Sequence, residues 1–218
     1  AVGSRALYAT TTGANNTAVG YNALTANTTA SYNTGVGYGA LDANTTGAGG
    51  TALGFQALSG NSTGSDNTAV GINALFANTT ASKNTAVGKN ALGANTTAPN
   101  NTAVGWDALA TNTTGSDNTA IGYNALDANN ADFNTAIGGQ ALQVNTTGFQ
   151  AVAIGRATLL ANTTGSYNTG VGYNALGNVT TGTQNTAIGR LAGSGLTTGV
   201  NNTFLGYFAR PSTATQNS

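Results

Sequence analysis

One glycine recurs along this chain at a spacing that leaves few folds open. Gly3, Gly20, Gly37, Gly54, Gly71, Gly88, Gly105, Gly122, Gly138, Gly155, Gly172, Gly189 and Gly206 stand 17 residues apart, except for the 16 between Gly122 and Gly138. The unit reads NTAVGYNALxANTTGSx and covers nearly all of the 218 residues. A period of this size marks a solenoid, in which each unit buries its apolar side only by stacking on its neighbours. The single deletion falls in ANNADFN, residues 128–134, so the polar end of the unit tolerates a change in length as a loop does.

Reading down the columns of the repeat gives the expected interior. The residue before each glycine is always aliphatic, from Val2 and Val19 through Leu53 and Ile121 to Leu205, which predicts a buried column. Four residues after the glycine a leucine column runs from Leu7 and Leu24 to Leu176, failing at Gly193 and Arg210. Between them an alanine series, Ala23, Ala40, Ala57, Ala74, Ala91, Ala108, Ala125 and Ala141, demands a small side chain under a close contact. A helical repeat conflicts with the Gly, Asn and paired Thr of every unit. TAVG and NAL read instead as short strands, and NTTGS as a turn-rich return. The fold class expected is therefore all-β, a parallel β-solenoid of about thirteen coils spanning residues 1–209, with residues 210–218 as a C-terminal cap or linker. Coils stacked at the usual strand spacing make a rod about 60 Å long. Asparagine at the first position of the unit (Asn16, Asn33, Asn67, Asn84 and their successors) either forms an amide ladder along the rod or serves as a turn former.

Composition removes most chemistry. Only 6% of the chain is charged, against about 25% in ordinary domains. Six cations (Arg5, Lys83, Lys89, Arg156, Arg190, Arg210) balance six aspartates (Asp42, Asp66, Asp107, Asp117, Asp127, Asp132), both spread along the sequence, so no nucleic-acid or anionic-membrane footprint follows. Glu, His, Cys and Met are absent, and with them the commonest general bases, soft metal ligands and thiol nucleophiles. The aspartates occupy different columns and form no carboxylate pair. No enzyme activity, cofactor or metal site is expected. No apolar run approaches the roughly 20 residues of a spanning helix. Sequons at Asn27, Asn44, Asn61, Asn78, Asn95, Asn112, Asn145 and Asn162 are generated by the repeat itself and read first as turn chemistry, with modification left open. Because Ala1 already lies in register within a repeat, the chain is expected to be a piece of a longer or processed polypeptide.

The coil Ala151–Gly155, AVAIG, and its sisters NTAVG and NTAIG resemble the head repeats of trimeric autotransporter adhesins, and the unit is similar to NTAVGYNAL arrays of phage tail fibres and bacterial surface proteins. The resemblance implies a left-handed parallel β-roll, side-by-side association of three chains, an adhesive role and an extracellular, cell-surface or virion-tail location. It also implies that Val152 and Ile154 point inward. The 17-residue unit is longer than the commoner head unit of about 14 residues in that family.

A coil this thin buries little apolar surface, which favours a partner face. The alanine series and the aromatic column after the glycine are candidates. Tyr21, Tyr38, Phe55, Trp106, Tyr123, Tyr173 and Tyr207 could contact other copies or a host-surface glycan or protein; Ile72 shares their column, as do Lys89, Gly139, Arg156 and Arg190. Two other readings stay open. The threonine column Thr17, Thr34, Thr51, Thr68 and onward would suit an ice-binding solenoid if it faced water, but period-2 alternation with the aliphatic column predicts that it faces inward. Open coil ends would suit an end-to-end filament.

Overall fold

The computed structural model describes residues 1–215 and residue 217. It is all-β, with twelve three-residue strands. Two compact units divide the chain, Ala1–Thr114 and Gly115 onward. The first holds β1 (Thr17–Val19), β2 (Thr34–Val36), β3 (Thr51–Leu53), β4 (Thr68–Val70), β5 (Thr85–Val87) and β6 (Thr102–Val104). The second holds β7 (Thr119–Ile121), β8 (Thr135–Ile137), β9 (Val152–Ile154), β10 (Thr169–Val171), β11 (Thr186–Ile188) and β12 (Thr203–Leu205). Within each unit consecutive strands pair in parallel and in register, so that Thr51 meets Thr68 and Val70 meets Val87. This is the β-solenoid that the period predicts. The first coil contributes only an isolated bridge, Val2 to Val19, which leaves twelve strands for thirteen glycines.

Hydrogen bonding extends well beyond the strands. Around each coil, backbone N–H groups point alternately to the next coil and to the previous one. The Thr34 N–H donates forward to the Gly50 carbonyl at 2.8 Å, the Gly37 N–H back to Val19 at 2.8 Å, and the Leu41 N–H forward to Ala57 at 3.1 Å. Stacking therefore satisfies the backbone that a chain with so few long elements would otherwise leave bare.

The interior differs from the sequence expectation in one systematic way. The residue inside each strand is the central one: Ala18, Ala52, Ala69, Ala86 and their equivalents are fully buried. The flanking Thr and Val or Ile both face outward, with Val19, Ile121 and Ile154 each 39% exposed. Alternation holds, but its parity is reversed, so neither the aliphatic nor the threonine column is internal, and Ala153, not Val152 or Ile154, points inward. NAL is not a strand either. Asn22 and Leu24 have φ of 56° and 53°, and this left-handed pair turns the chain at a corner. From Leu24 to Leu176 the leucine column is fully buried, as its pattern predicts, and so is the alanine series that precedes it, which removes those alanines from any partner face.

Two asparagine columns complete the core, interrupted at Gly50 and Ala151 in the first and at Val179 and Leu196 in the second. At the first position of the unit, the Asn67 side-chain amide donates to the Ala81 carbonyl of the next coil at 2.7 Å, while its oxygen accepts the Asn84 N–H at 2.9 Å. The expected ladder thus exists, mostly as side chain to backbone. A second ladder is built from the sequon asparagines. Asn61 donates to Asn44 at 2.9 Å, Asn78 to Asn61 at 2.8 Å and Asn95 to Asn78 at 3.0 Å, and each gives its other amide proton to a carbonyl three residues on. At the shortened coil Asn129 caps Ala131 instead of a residue three away, and the ladder resumes from there, Asn145 donating to Asn129 at 2.7 Å. It ends where Val179 and Leu196 take the asparagine position, leaving the Asn162 oxygen without a partner.

Size exchange keeps the thin core filled. Gly170 replaces the strand alanine beside the buried Thr158, whose methyl would lie 2.6 Å from an added Cβ. Phe204 replaces the same alanine where Gly193 stands in the leucine column. At the C-terminus, Thr197 donates through its N–H and its hydroxyl to the Ala214 carbonyl, at 2.8 and 3.1 Å, so part of the 210–218 segment continues the stacking; Gln216 and Ser218 lie outside the described residues.

Two contrasts test this architecture. Gly71 has φ of 135°, and an added Cβ would lie 2.5 Å from the Gly88 carbonyl oxygen, whereas Gly139 has no positive φ and nothing closer than 3.9 Å. Gly71→Ala is expected to destabilise by at least about 3 kcal/mol and Gly139→Ala by no more than about 0.5 kcal/mol, measured by chemical denaturation. Asn78→Ala removes three side-chain hydrogen bonds and orphans the Asn61 oxygen. It is expected to cost about 3 kcal/mol, while exposed Thr80→Ala changes stability by less than about 0.5 kcal/mol.

Candidate adhesive face

The outward side of each strand carries two positions, and both are uncharged in all twelve strands. Every strand begins with Thr, except Val152 in β9, and ends in Val, Leu or Ile. Within each unit, in-register stacking turns them into two parallel columns. Threonine and aliphatic residue lie about 6.7 Å apart along a strand, and each repeats about every 4.8 Å across strands. None of the hydroxyls of Thr34, Thr51, Thr68 and Thr85 has a hydrogen-bond partner among the described residues. They are directed to solvent beside a row of half-exposed methyl groups.

The aromatic column borders this face across the glycine. In the first unit Tyr21, Tyr38 and Phe55 stack ring on ring, with centroids 5.3 Å apart in both steps and interplanar angles of 19° and 14°. Ile72 continues the column, and Lys89 sets its ammonium 5.6 Å from the Trp106 ring centre. In the second unit Tyr123 is half exposed, and Tyr173 and Tyr207 alternate with arginines, Arg190 lying 5.5 Å from both ring centres. All seven candidate aromatics are therefore on the surface, in one column in each unit. Their stacking along the column covers ring faces and leaves mainly ring edges to a ligand.

The glycine is what sets the aromatics beside the strand face. Its φ near 130–140° is open to a residue without a Cβ, and the carbonyl of the next glycine fills the space a side chain would need. The chain then enters the left-handed corner and carries leucine to the interior.

Sequence reasoning missed the exposed aliphatic column. A signal for it was present: that position varies among Val, Leu and Ile, while the central strand position is Ala or Gly in every strand but β12, as befits the tighter side. The sequon asparagines were placed correctly near a turn, but they are buried. Asn27, Asn44, Asn78, Asn95, Asn112, Asn145 and Asn162 are 0% exposed and Asn61 is 1% exposed, so the folded chain has no room for a glycan on any of them. Among the described residues no group of three or more acidic or metal-ligating side chains could hold a metal ion.

No family model, curated protein or solved structure matches this chain.

Proposed function

We propose that this chain is a structural, adhesive segment of an extracellular fibre, of the kind its NTAVGYNAL repeats resemble in trimeric autotransporter heads and tail fibres, and that it has no catalytic role. The observation that supports this most is the uncharged strand face of each unit, where Val19, Leu53 and Val87 in the first and Ile121, Ile154 and Ile188 in the second repeat in register and stay 36–49% exposed. An apolar stripe of that regularity on so thin a core is expensive to leave in water, and a second and third copy of the same stripe would cover it. In a three-fold assembly the same column of each copy would converge on the shared axis. The aromatic column then lies at the rim of the association, where a host-surface ligand can reach it. Leu53→Lys combined with Val87→Lys places charge in that face without touching the interior. Light scattering is expected to give an oligomer, with a trimer anticipated, for the parent chain and a monomer with unchanged circular dichroism for the variant. A parent chain that is monomeric at every concentration overturns the association.

A second reading is favoured by the unpartnered threonine hydroxyls. If the strand face is open to water, its two-dimensional lattice of hydroxyls and methyls can order water, and the chain would bind ice. That reading expects a monomer that facets growing ice crystals, with Thr68→Tyr abolishing the effect; unshaped growth in the presence of the monomer rules it out. The filament alternative expects long uniform fibres from the isolated chain in electron micrographs.

A further inference from the structure

Four consecutive coils of the second unit place Arg156, Tyr173, Arg190 and Tyr207 in the rim column. The Arg156 guanidinium carbon lies 5.9 Å from the Tyr173 ring centre, and Arg190 lies 5.5 Å from the rings on both sides of it and donates to the Tyr207 hydroxyl at 3.2 Å. All four side chains are exposed. Residues 133–218 contain three arginines and no acid, while the second unit's aspartates, Asp117, Asp127 and Asp132, all precede them. Neither Arg156 nor Arg190 has a carboxylate partner among the described residues. Solvent-exposed arginines held by tyrosine rings are pre-organised, so less conformational entropy is lost when their remaining N–H groups bind an anion.

We infer that this Arg–Tyr–Arg–Tyr stripe binds an acidic polysaccharide carrying one carboxylate per pair of sugars. Arginine matches a carboxylate with two parallel hydrogen bonds, which makes it the natural reader of a uronate. The two guanidinium groups are two coils apart, about 9.6 Å. That is close to the repeat of an extended polymer in which every second sugar is charged. Nucleic acid fits less well on two counts. Its phosphates recur about every 3.4 Å along a strand, far denser than the arginines. The tyrosine faces that could stack on bases are already covered by guanidinium groups. The tyrosine edges and the hydroxyl of Tyr173 remain to contact sugar hydroxyls between the two charges.

This inference rests on the adhesive reading above, and the experiment separates the two. Binding of the full chain to hyaluronan, which has one uronate per disaccharide, is measured by titration calorimetry alongside neutral dextran and double-stranded DNA, with light scattering on the same samples. Hyaluronan is expected to bind more tightly than DNA, and dextran not at all, with affinity falling as salt rises. Arg156→Gln with Arg190→Gln is expected to weaken hyaluronan at least tenfold, and Lys83→Gln, in the first unit and no part of the stripe, to change nothing. Should the double variant fold poorly, Arg156→Lys and Arg190→Lys keep the charge and lose the paired geometry, and a loss of at least threefold is expected. No binding to hyaluronan, equal binding by parent and arginine variants, or tighter binding of DNA overturns the inference. If the oligomer persists in those samples, the fibre reading survives that failure; a monomeric parent that still binds hyaluronan removes the fibre reading and leaves the site.

Discussion

An asparagine side chain buried in a thin coil is tolerable only if the coils on either side supply its partners. Each internal amide has about four hydrogen-bonding sites, and an unmet one costs roughly 1–3 kcal/mol. Because coils stack in register, along a regular run the side-chain partner is the same atom of the same residue one repeat away, as with Asn44, Asn61, Asn78 and Asn95. This makes the repeat length a physical constraint. A coil one residue longer at the wrong place would move one asparagine out of reach and leave two amides unpaired. The one deletion in the chain falls between the two ladders, where Asn129 can bond to Ala131 and the stacking is kept.

The same register sets the balance of strain and burial. Leucine in the left-handed region is unfavourable by about 1–2 kcal/mol per residue. Each such leucine, Leu24 through Leu176, is completely buried, which is worth about 1.5–3 kcal/mol, so the corner is held by what it brings inside. Where the leucine is lost at Gly193, the space is taken by Phe204 from the next strand, and the second asparagine ladder has by then given way to Val179 and Leu196. The end of the repeat thus exchanges one of its two polar ladders for apolar packing, while the other runs on through Asn185 to Asn202.

Period, strand class, parallel stacking and the leucine interior were all legible in the sequence, because each follows from a column that never changes type. Parity was not. Hydrophobicity points Val and Ile inward, and in a wider solenoid that would be right. Here the space opposite the strand is occupied by Leu, Ala and two amides, and the room that remains suits a methyl group: at Gly35 an added Cβ would already stand 3.1 Å from the Ala40 carbonyl and 3.4 Å from Leu24. Volume therefore overrides polarity, and Thr and Val share the outer face. The candidate aromatics were legible because their column varies in charge and size. Their mutual stacking was not, since it depends on rotamers that only the register of neighbouring coils selects.

Reversal of parity also changes what a fibre built from this unit can offer. With aliphatic residues inside, the coil would be self-sufficient and its outside polar and featureless. With alanine inside, burial per coil falls, and the deficit appears on the surface as an ordered uncharged face. Such a face has two ways to lower its free energy, covering by copies of itself or ordering the water above it, and the two exclude each other. The rim column belongs to neither, because a charged side chain in the middle of either surface would be desolvated without a partner. That is where Lys89, Arg156 and Arg190 occur, each against a ring of the same column and none within the strand face. The placement of the few charges divides the surface into a face that must stay uncharged and an edge free to vary, and variation at the edge is where specificity for a ligand can be written without disturbing the stack.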